Sequence, residues 1–305
     1  MASVNVGVIE VGCLIPSNAL MKVSAWHKAQ GDLVEVIGVQ RELGYVPAFS
    51  GTPDILYASK PFDFTPDYAY WPECEIVKGG TGYDPTAHLP MGDLDSIMPD
   101  YDLLGCTYAM GRVTRGCPRA CDFCMVKDSD GTRPRQVAEV SDWYAGQGVI
   151  RLMDDNLAAI PDVFMQTCAD LKATGAKVIW EALDVRLLTD EMCAALVSVK
   201  RQTSIKFAWD KLADEADVLA GLRRMKRAYP SMHDVMVYVL TNYGTTQAED
   251  EYRCETLRGM GIAPFVMIYD KANAPDLTRR YARYVNRKEL FKSCTFAEFA
   301  KELVA

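Results

Sequence analysis

Apolar residues recur along this chain in short runs with two spacings. Residues 4–10 are β-branched and apolar (Val4, Val6, Val8, Ile9), and 33–39, 55–59 and 75–78 share that character, so four short strands are expected in the first third. Between the first two, Ser17 and Asn18 are helix-capping residue types, a helical run continues to about Gln30, and Gly31 can end it. Lys60-Pro61, Thr65-Pro66 and Gly79-Gly80-Thr81-Gly82 are loop signals. Strand–helix–strand order predicts a parallel sheet of Rossmann type. Further on the alternation is more regular. Strands are expected at 112–115, 149–153, 177–183, 203–209, 234–240 and 262–268, and helices at 135–147, 161–174, 190–200, 214–229 and 246–259. Pro161 suits a first helical turn and Gly175 a stop. These six βα units fall short of the eight of a complete barrel. One or two helices should fill 276–305. The expected fold class is α/β: a partial (β/α)6 TIM-like barrel with an N-terminal Rossmann-like α/β domain and C-terminal helices.

Composition changes this picture little, and charge changes it more. The 305 residues are 49% apolar and 24% charged, which is ordinary for a globular protein of about two domains. No run of 18 or more apolar residues exists, and the start MASVNVGVIEVG lacks a basic, then apolar, signal pattern. No membrane association and a cytoplasmic location are expected, and there cysteines serve as thiols, metal ligands or catalysts rather than disulfides. The formal charge of −8 is uneven: residues 1–105 carry −9 and 106–305 carry +1. That shift suggests a domain boundary near residue 105; with the last strand ending near 268 and helices beyond it, the expected domains are 1–105, 106–270 and 271–305, the last a helical extension. The acidic balance argues against a nucleic-acid-coating protein; nucleic acid is not indicated as a partner.

The chemistry concentrates in one loop. Arg115-Gly116-Cys117-Pro118-Arg119-Ala120-Cys121-Asp122-Phe123-Cys124 contains CxxxCxxC. Three soft thiolates so close in sequence suit an iron–sulfur cluster, and since an all-protein 4Fe-4S site takes four cysteines, three would leave one iron open. A structural zinc site would need four Cys or His ligands. His27, His88 and His233 are all remote in sequence, and Cys106 is the nearest further thiol.

This loop, the aromatic Phe123 before the third cysteine, and the six βα units after a leading strand resemble the radical S-adenosylmethionine superfamily over most of the chain. The resemblance implies that Cys117, Cys121 and Cys124 hold a 4Fe-4S cluster whose open iron binds S-adenosylmethionine. It implies one-electron reduction from a flavodoxin- or ferredoxin-type donor, a 5′-deoxyadenosyl radical, and hydrogen abstraction from a substrate. It places the Phe123 backbone against adenine. The family commonly has a Gly-Gly-Glu-like element at the second strand tip; this chain has Asp154-Asp155-Asn156, whose carboxylates can accept from the methionine ammonium. Ranking by strand tips adds Asp184 and Arg186, the latter suited to a carboxylate, together with Asn242 and Tyr269.

Residues 1–105 resemble a degenerate form of the N-terminal cobalamin-binding domain found in one branch of that superfamily, through the strand–helix start and Val77-Lys78-Gly79-Gly80. The branch's DxHxxG cobalt-ligand loop is missing, and His27 sits within a helical run, so cobalamin is not expected here. Over 277–292, Arg279, Arg283 and Arg287 fall at helical spacing on one face. The segment Met260–Phe291, including Tyr281-Ala282-Arg283-Tyr284-Val285-Asn286-Arg287-Lys288, resembles the tail of uncharacterised radical S-adenosylmethionine proteins of bacteria and their phages. The expected function is a rearrangement or modification of a small or nucleotide-like substrate by a radical S-adenosylmethionine enzyme. One version is an isomerase acting on aminoacyl-modified thymine in phage DNA. The competing readings are a cobalamin-assisted radical methyltransferase, a non-catalytic iron–sulfur redox protein with Cys106 as fourth ligand, and a nucleic-acid-binding module.

Overall fold

The computed structural model describes residues 3–39, 51–87 and 89–302. His88 and residues 303–305 therefore lie outside the described residues. The chain divides into two compact units, Met1–Asp155 and Asn156–Ala305.

The first unit opens with β1 (Asn5–Glu10), α1 (Asn18–Ala29), β2 (Leu33–Val39), β3 (Ile55–Ser59) and β4 (Glu75–Gly79). Ser17 caps α1 as expected, its hydroxyl accepting from the Leu20 amide. The four strands form one parallel sheet in the order β2-β1-β3-β4. Strand alternation puts Val6, Val8 and Tyr57 in one core with Leu20 and Val23 of α1, and Ile9, Leu56 and Ala58 in a second core with Ile37 and Tyr68. Since β2 and β3 lie on opposite sides of β1, connections leave the carboxyl ends of β1 and β3 in diverging directions. A crevice at such a point is where open α/β sheets bind ligands.

The same unit continues through β5 (Ala109–Gly111), β6 (Thr114–Arg115), the short α2 (Val126–Ser129), β7 (Arg135–Gln136) and β8 (Val149–Leu152). The expectation of one strand at 112–115 is corrected here. The chain instead makes β5, parallel to β8, and then β6, antiparallel to β7. The helix expected at 135–147 does not form. The amides of Val137 and Ala138 both donate to Val113 O, extending the hairpin, and the Glu139–Asp142 capping box closes only a 3-10 turn. Trp143 is then fully buried, and a Cβ on Gly111 would meet its ring. Tertiary burial of one indole overrides the local helical pattern.

The second unit is regular: α3 (Pro161–Thr174), β9 (Lys177–Trp180), α4 (Asp190–Ser198), β10 (Ile205–Ala208), α5 (Glu215–Ala228), β11 (Val235–Thr241), α6 (Gln247–Gly259), β12 (Ala263–Ile268), α7 (Asp276–Val285), α8 (Lys288–Ser293) and α9 (Phe296–Glu302). Pro161 and Gly175 bound α3 as read from the sequence, with Gly175 left-handed at φ 69°. Thr246 and Glu249 close a capping box at the start of α6. β10, β11 and β12 pair in parallel. The continuous helix expected over 277–292 is broken: α7 ends at Val285, the Asn286 side chain bonds both the amide and the carbonyl of Val266, and Arg287 caps α8. Arg287 therefore leaves the helical row of Arg279 and Arg283. Among the described residues no helix is long and apolar enough to cross a membrane.

Candidate functional site

The cysteine loop leaves the end of β6 and is fixed at its base by the tip of β8. Asp154 Oδ1 accepts from the Val113 amide at 3.0 Å, the Thr114 amide at 2.6 Å and the Thr114 hydroxyl at 2.8 Å. Its Oδ2 is buried without a hydrogen-bond partner. Burial pushes this carboxyl up to about 6, against the opposing pull of those donors. Asp155 Oδ2 accepts from the Gly116 amide at 2.7 Å, and burial raises its carboxyl as well. Gly116 has φ 85°, and a Cβ there would stand 2.6 Å from Arg133 O. Only glycine can make this turn into Cys117. The Cys117 amide then donates to Gly131 O at 3.1 Å, and the Cys124 amide to Cys121 O at 3.0 Å.

An ion-pair network that sequence reading did not single out holds the same loop from the other side. Arg115 donates to both carboxylate oxygens of Asp95 and, at 2.6 Å, to Asp130. Arg112 lies 3.6 Å from Asp130. The buried Lys22 of α1 donates to Asp95 O at 2.5 Å, and burial lowers its ammonium to about 8. Burial works against charge on Asp95, yet the Arg115 bonds outweigh it and hold its carboxyl below the usual range. No sequence spacing announces this set, because its members come from four separate segments.

The donor set suits an iron–sulfur cluster by ligand type and by exposure. Cys117, Cys121 and Cys124 are all partly exposed on one loop, whereas Cys106, Cys168, Cys193 and Cys254 are buried. Burial pushes Cys168 and Cys254 up to about 12, which leaves them inert. Cys106 is also raised by burial, and its thiol donates to Tyr108 O. Among the described residues no three His, Cys, Asp or Glu side chains are already gathered as a metal site. Phe123 is half-buried within the loop.

The remaining candidates belong to the second unit. Asn156 is buried and starts a 3-10 turn. Arg186 is committed to two carboxylates, bonding Asp184 at 2.7 Å and Asp214 at 2.6 Å. Asn242, left-handed at φ 63°, donates to Tyr269 O at 2.8 Å, and the Tyr269 ring packs edge-on against Tyr243. The structure thus joins Asn242 to Tyr269 and Asp184 to Arg186.

The first unit also holds a cavity of about 710 Å3 at the carboxyl ends of β1, β3 and β4. Leu14, Ile15, Phe62, Gly79, Lys22 and Arg115 are among its walls. Gly80 and Gly82 are explained by packing, since a Cβ on either would strike the backbone of Lys60 or Phe62. Gly79 is different: a Cβ there would find its nearest neighbour, Ala58 O, 4.0 Å away, in open space. The Glu10 carboxylate accepts from the Ser17 amide at 2.5 Å, at the α1 N-terminus where a phosphate would otherwise dock. His27 uses both ring nitrogens, on Asp32 at 2.7 Å and Tyr57 at 3.1 Å. No described wall residue is an imidazole.

No protein family's sequence profile matches the chain, and no curated protein matches it. A solved structure does. The fold is similar to that of a radical S-adenosylmethionine methyltransferase, TsrM from Kitasatospora setae, determined with cobalamin and a 4Fe-4S cluster bound. The TM-score is 0.67 at 11% identity, over 88% of this chain and 75% of that one. At that identity the likeness is one of fold.

Proposed function

We propose that the chain is a radical S-adenosylmethionine enzyme. The observation that carries this reading is the three-thiol loop, anchored by the two aspartates of the β8 tip, in a fold shared with an enzyme of that class. Cys117, Cys121 and Cys124 would hold the cluster, which when bound supplies the electron that cleaves S-adenosylmethionine. The chain's own residues fix the loop. Asp154 and Asp155 take up the amides ahead of Cys117, and Arg115 ties the loop base to Asp95 and Asp130. Phe123, Asn156, Asp184, Arg186, Asn242 and Tyr269 remain candidate contacts to S-adenosylmethionine.

The test is anaerobic reconstitution with iron and sulfide, followed by reductant and S-adenosylmethionine. The wild type should gain cluster absorbance and release 5′-deoxyadenosine. Alanine at any of the three positions should abolish both, while Cys106→Ser should keep both. Loss of the cluster in Cys106→Ser, with no cleavage by the wild type, would establish the redox-protein reading instead.

A second reading is cobalamin-assisted methyl transfer, and it now has more support than the sequence alone offered. The neighbour binds cobalamin, and the cavity is open above Gly79. Leu14, Ile15, Phe62 and Gly79 would contact such a ligand, without an imidazole for cobalt among the described walls. Spectroscopic titration with hydroxocobalamin should show binding that Gly79→Leu weakens. An isomerase acting on aminoacyl-modified thymine rests on the tail resemblance and the terminal arginines, whose single helical row is broken before Arg287.

A further inference from the structure

The β10–β12 sheet has two unlike faces. Ile205, Phe207, Val235, Val237, Val239 and Val266 are each 3% exposed or less. The alternate residues are not. Lys206, Ala208, Met236, Tyr238, Leu240 and Phe265 are half-buried, and Met267 is 47% exposed. Strand register sets them in rows: Lys206 beside Met236 and Ala263, Ala208 beside Tyr238 and Phe265, Leu240 beside Met267. Parallel sheets are ordinarily covered on both faces, so a face left half-open along all three strands calls for an occupant.

The size of this face limits the occupant. Three strands about 4.8 Å apart, with same-face residues about 6.7 Å apart along each, give a surface roughly 10 by 14 Å. That suits one or two rings, not a protein partner. The Tyr238 and Phe265 rings, 5.6 Å apart and nearly perpendicular, form its centre.

One charge stands on this apolar surface. Lys206 Nζ lies 3.1 Å from Glu181 Oε2, just beyond the end of β9, and the two side chains are 20% and 31% exposed. An apolar residue of similar volume would serve stability at least as well as a partly buried lysine. The ammonium has three donors, and Glu181 takes one. Glu181 would repel a dianionic phosphate, and a lone lysine lacks the planar fork that recognises one. A monoanionic carboxylate can accept the remaining donors and meets about half the repulsion from Glu181 that a dianion would.

We propose that this face binds a substrate with an apolar, ring-sized body and a single carboxylate, which Lys206 holds and for which Glu181 orients the Lys206 ammonium. That the ligand is a substrate rests on the radical S-adenosylmethionine reading; the binding chemistry does not.

Calorimetric titration of the full-length protein with 2-naphthoate, and with its uncharged twin 2-naphthamide, tests this. The wild type should bind the carboxylate about tenfold more tightly than the amide. Lys206→Met should bring the two affinities together while keeping amide binding, and Lys206→Gln should do the same if the methionine variant folds poorly. Glu181→Gln should retain the carboxylate preference. Equal affinities in the wild type, or a preference that survives both Lys206 variants, would overturn the assignment. S-adenosylmethionine cleavage is measured separately, so failure of the enzyme reading leaves this result standing.

Discussion

Asp154 shows how one side chain sets the position of a whole loop. Three donors converge on a single oxygen while the other is buried without a partner. Asp154→Ala removes all three acceptances and should cost about 1–3 kcal/mol per donor left unsatisfied, read as a lower urea midpoint at unchanged slope. Its titration has a definite sign. Burial raises the carboxyl from 3.8 to about 6, so the native state keeps a proton that the unfolded chain releases between those values. The stability it contributes is complete below this window and is lost as pH rises through it. The difference between wild type and Asp154→Asn should therefore fall by about 3 kcal/mol from about pH 3 to about pH 8. A difference that is flat across that range would contradict the raised value. The residue itself was legible as a polar strand tip, but its role was not, because the groups it serves lie forty residues upstream at Val113 and Thr114.

At the scale of elements, the turn from β6 into the cysteines depends on Gly116. Alanine would be both strained at φ 85° and crowded against Arg133 O. Gly116→Ala should cost about 1–3 kcal/mol and lower the iron bound after reconstitution, measured by metal analysis alongside thermal unfolding. Iron content equal to wild type would show that the turn does not govern the loop. Elements with their own start and stop chemistry were readable: Ser17 for α1, Pro161 and Gly175 for α3. Elements decided by distant partners were not. Val113 drew 137–138 into extended pairing and Trp143 sank into the core, so the 135–147 helix was lost. Asn286 bonded β12 and broke the terminal helix, which dispersed the arginine row.

At the scale of the whole molecule, a ligand that binds only the folded, cluster-loaded protein must stabilise it by mass action. S-adenosylmethionine at about 100 times its dissociation constant should add about 2.7 kcal/mol, seen as a higher melting temperature. Cys117→Ala should show no such increase. An equal increase in the variant would mean that the ligand binds away from the cysteine loop. By itself the sequence determined the α/β class, most strand and helix positions, and the cysteine triplet, because periodicity, capping and ligand spacing are local properties of the chain. Only the tertiary structure decided the cavity at the ends of β1, β3 and β4, the Arg115–Asp95–Asp130 clamp, and the half-open sheet face carrying Lys206. Each of these is made by residues remote in sequence, whose encounter is set by packing and by the need to pair buried charge, and no spacing along the chain records it.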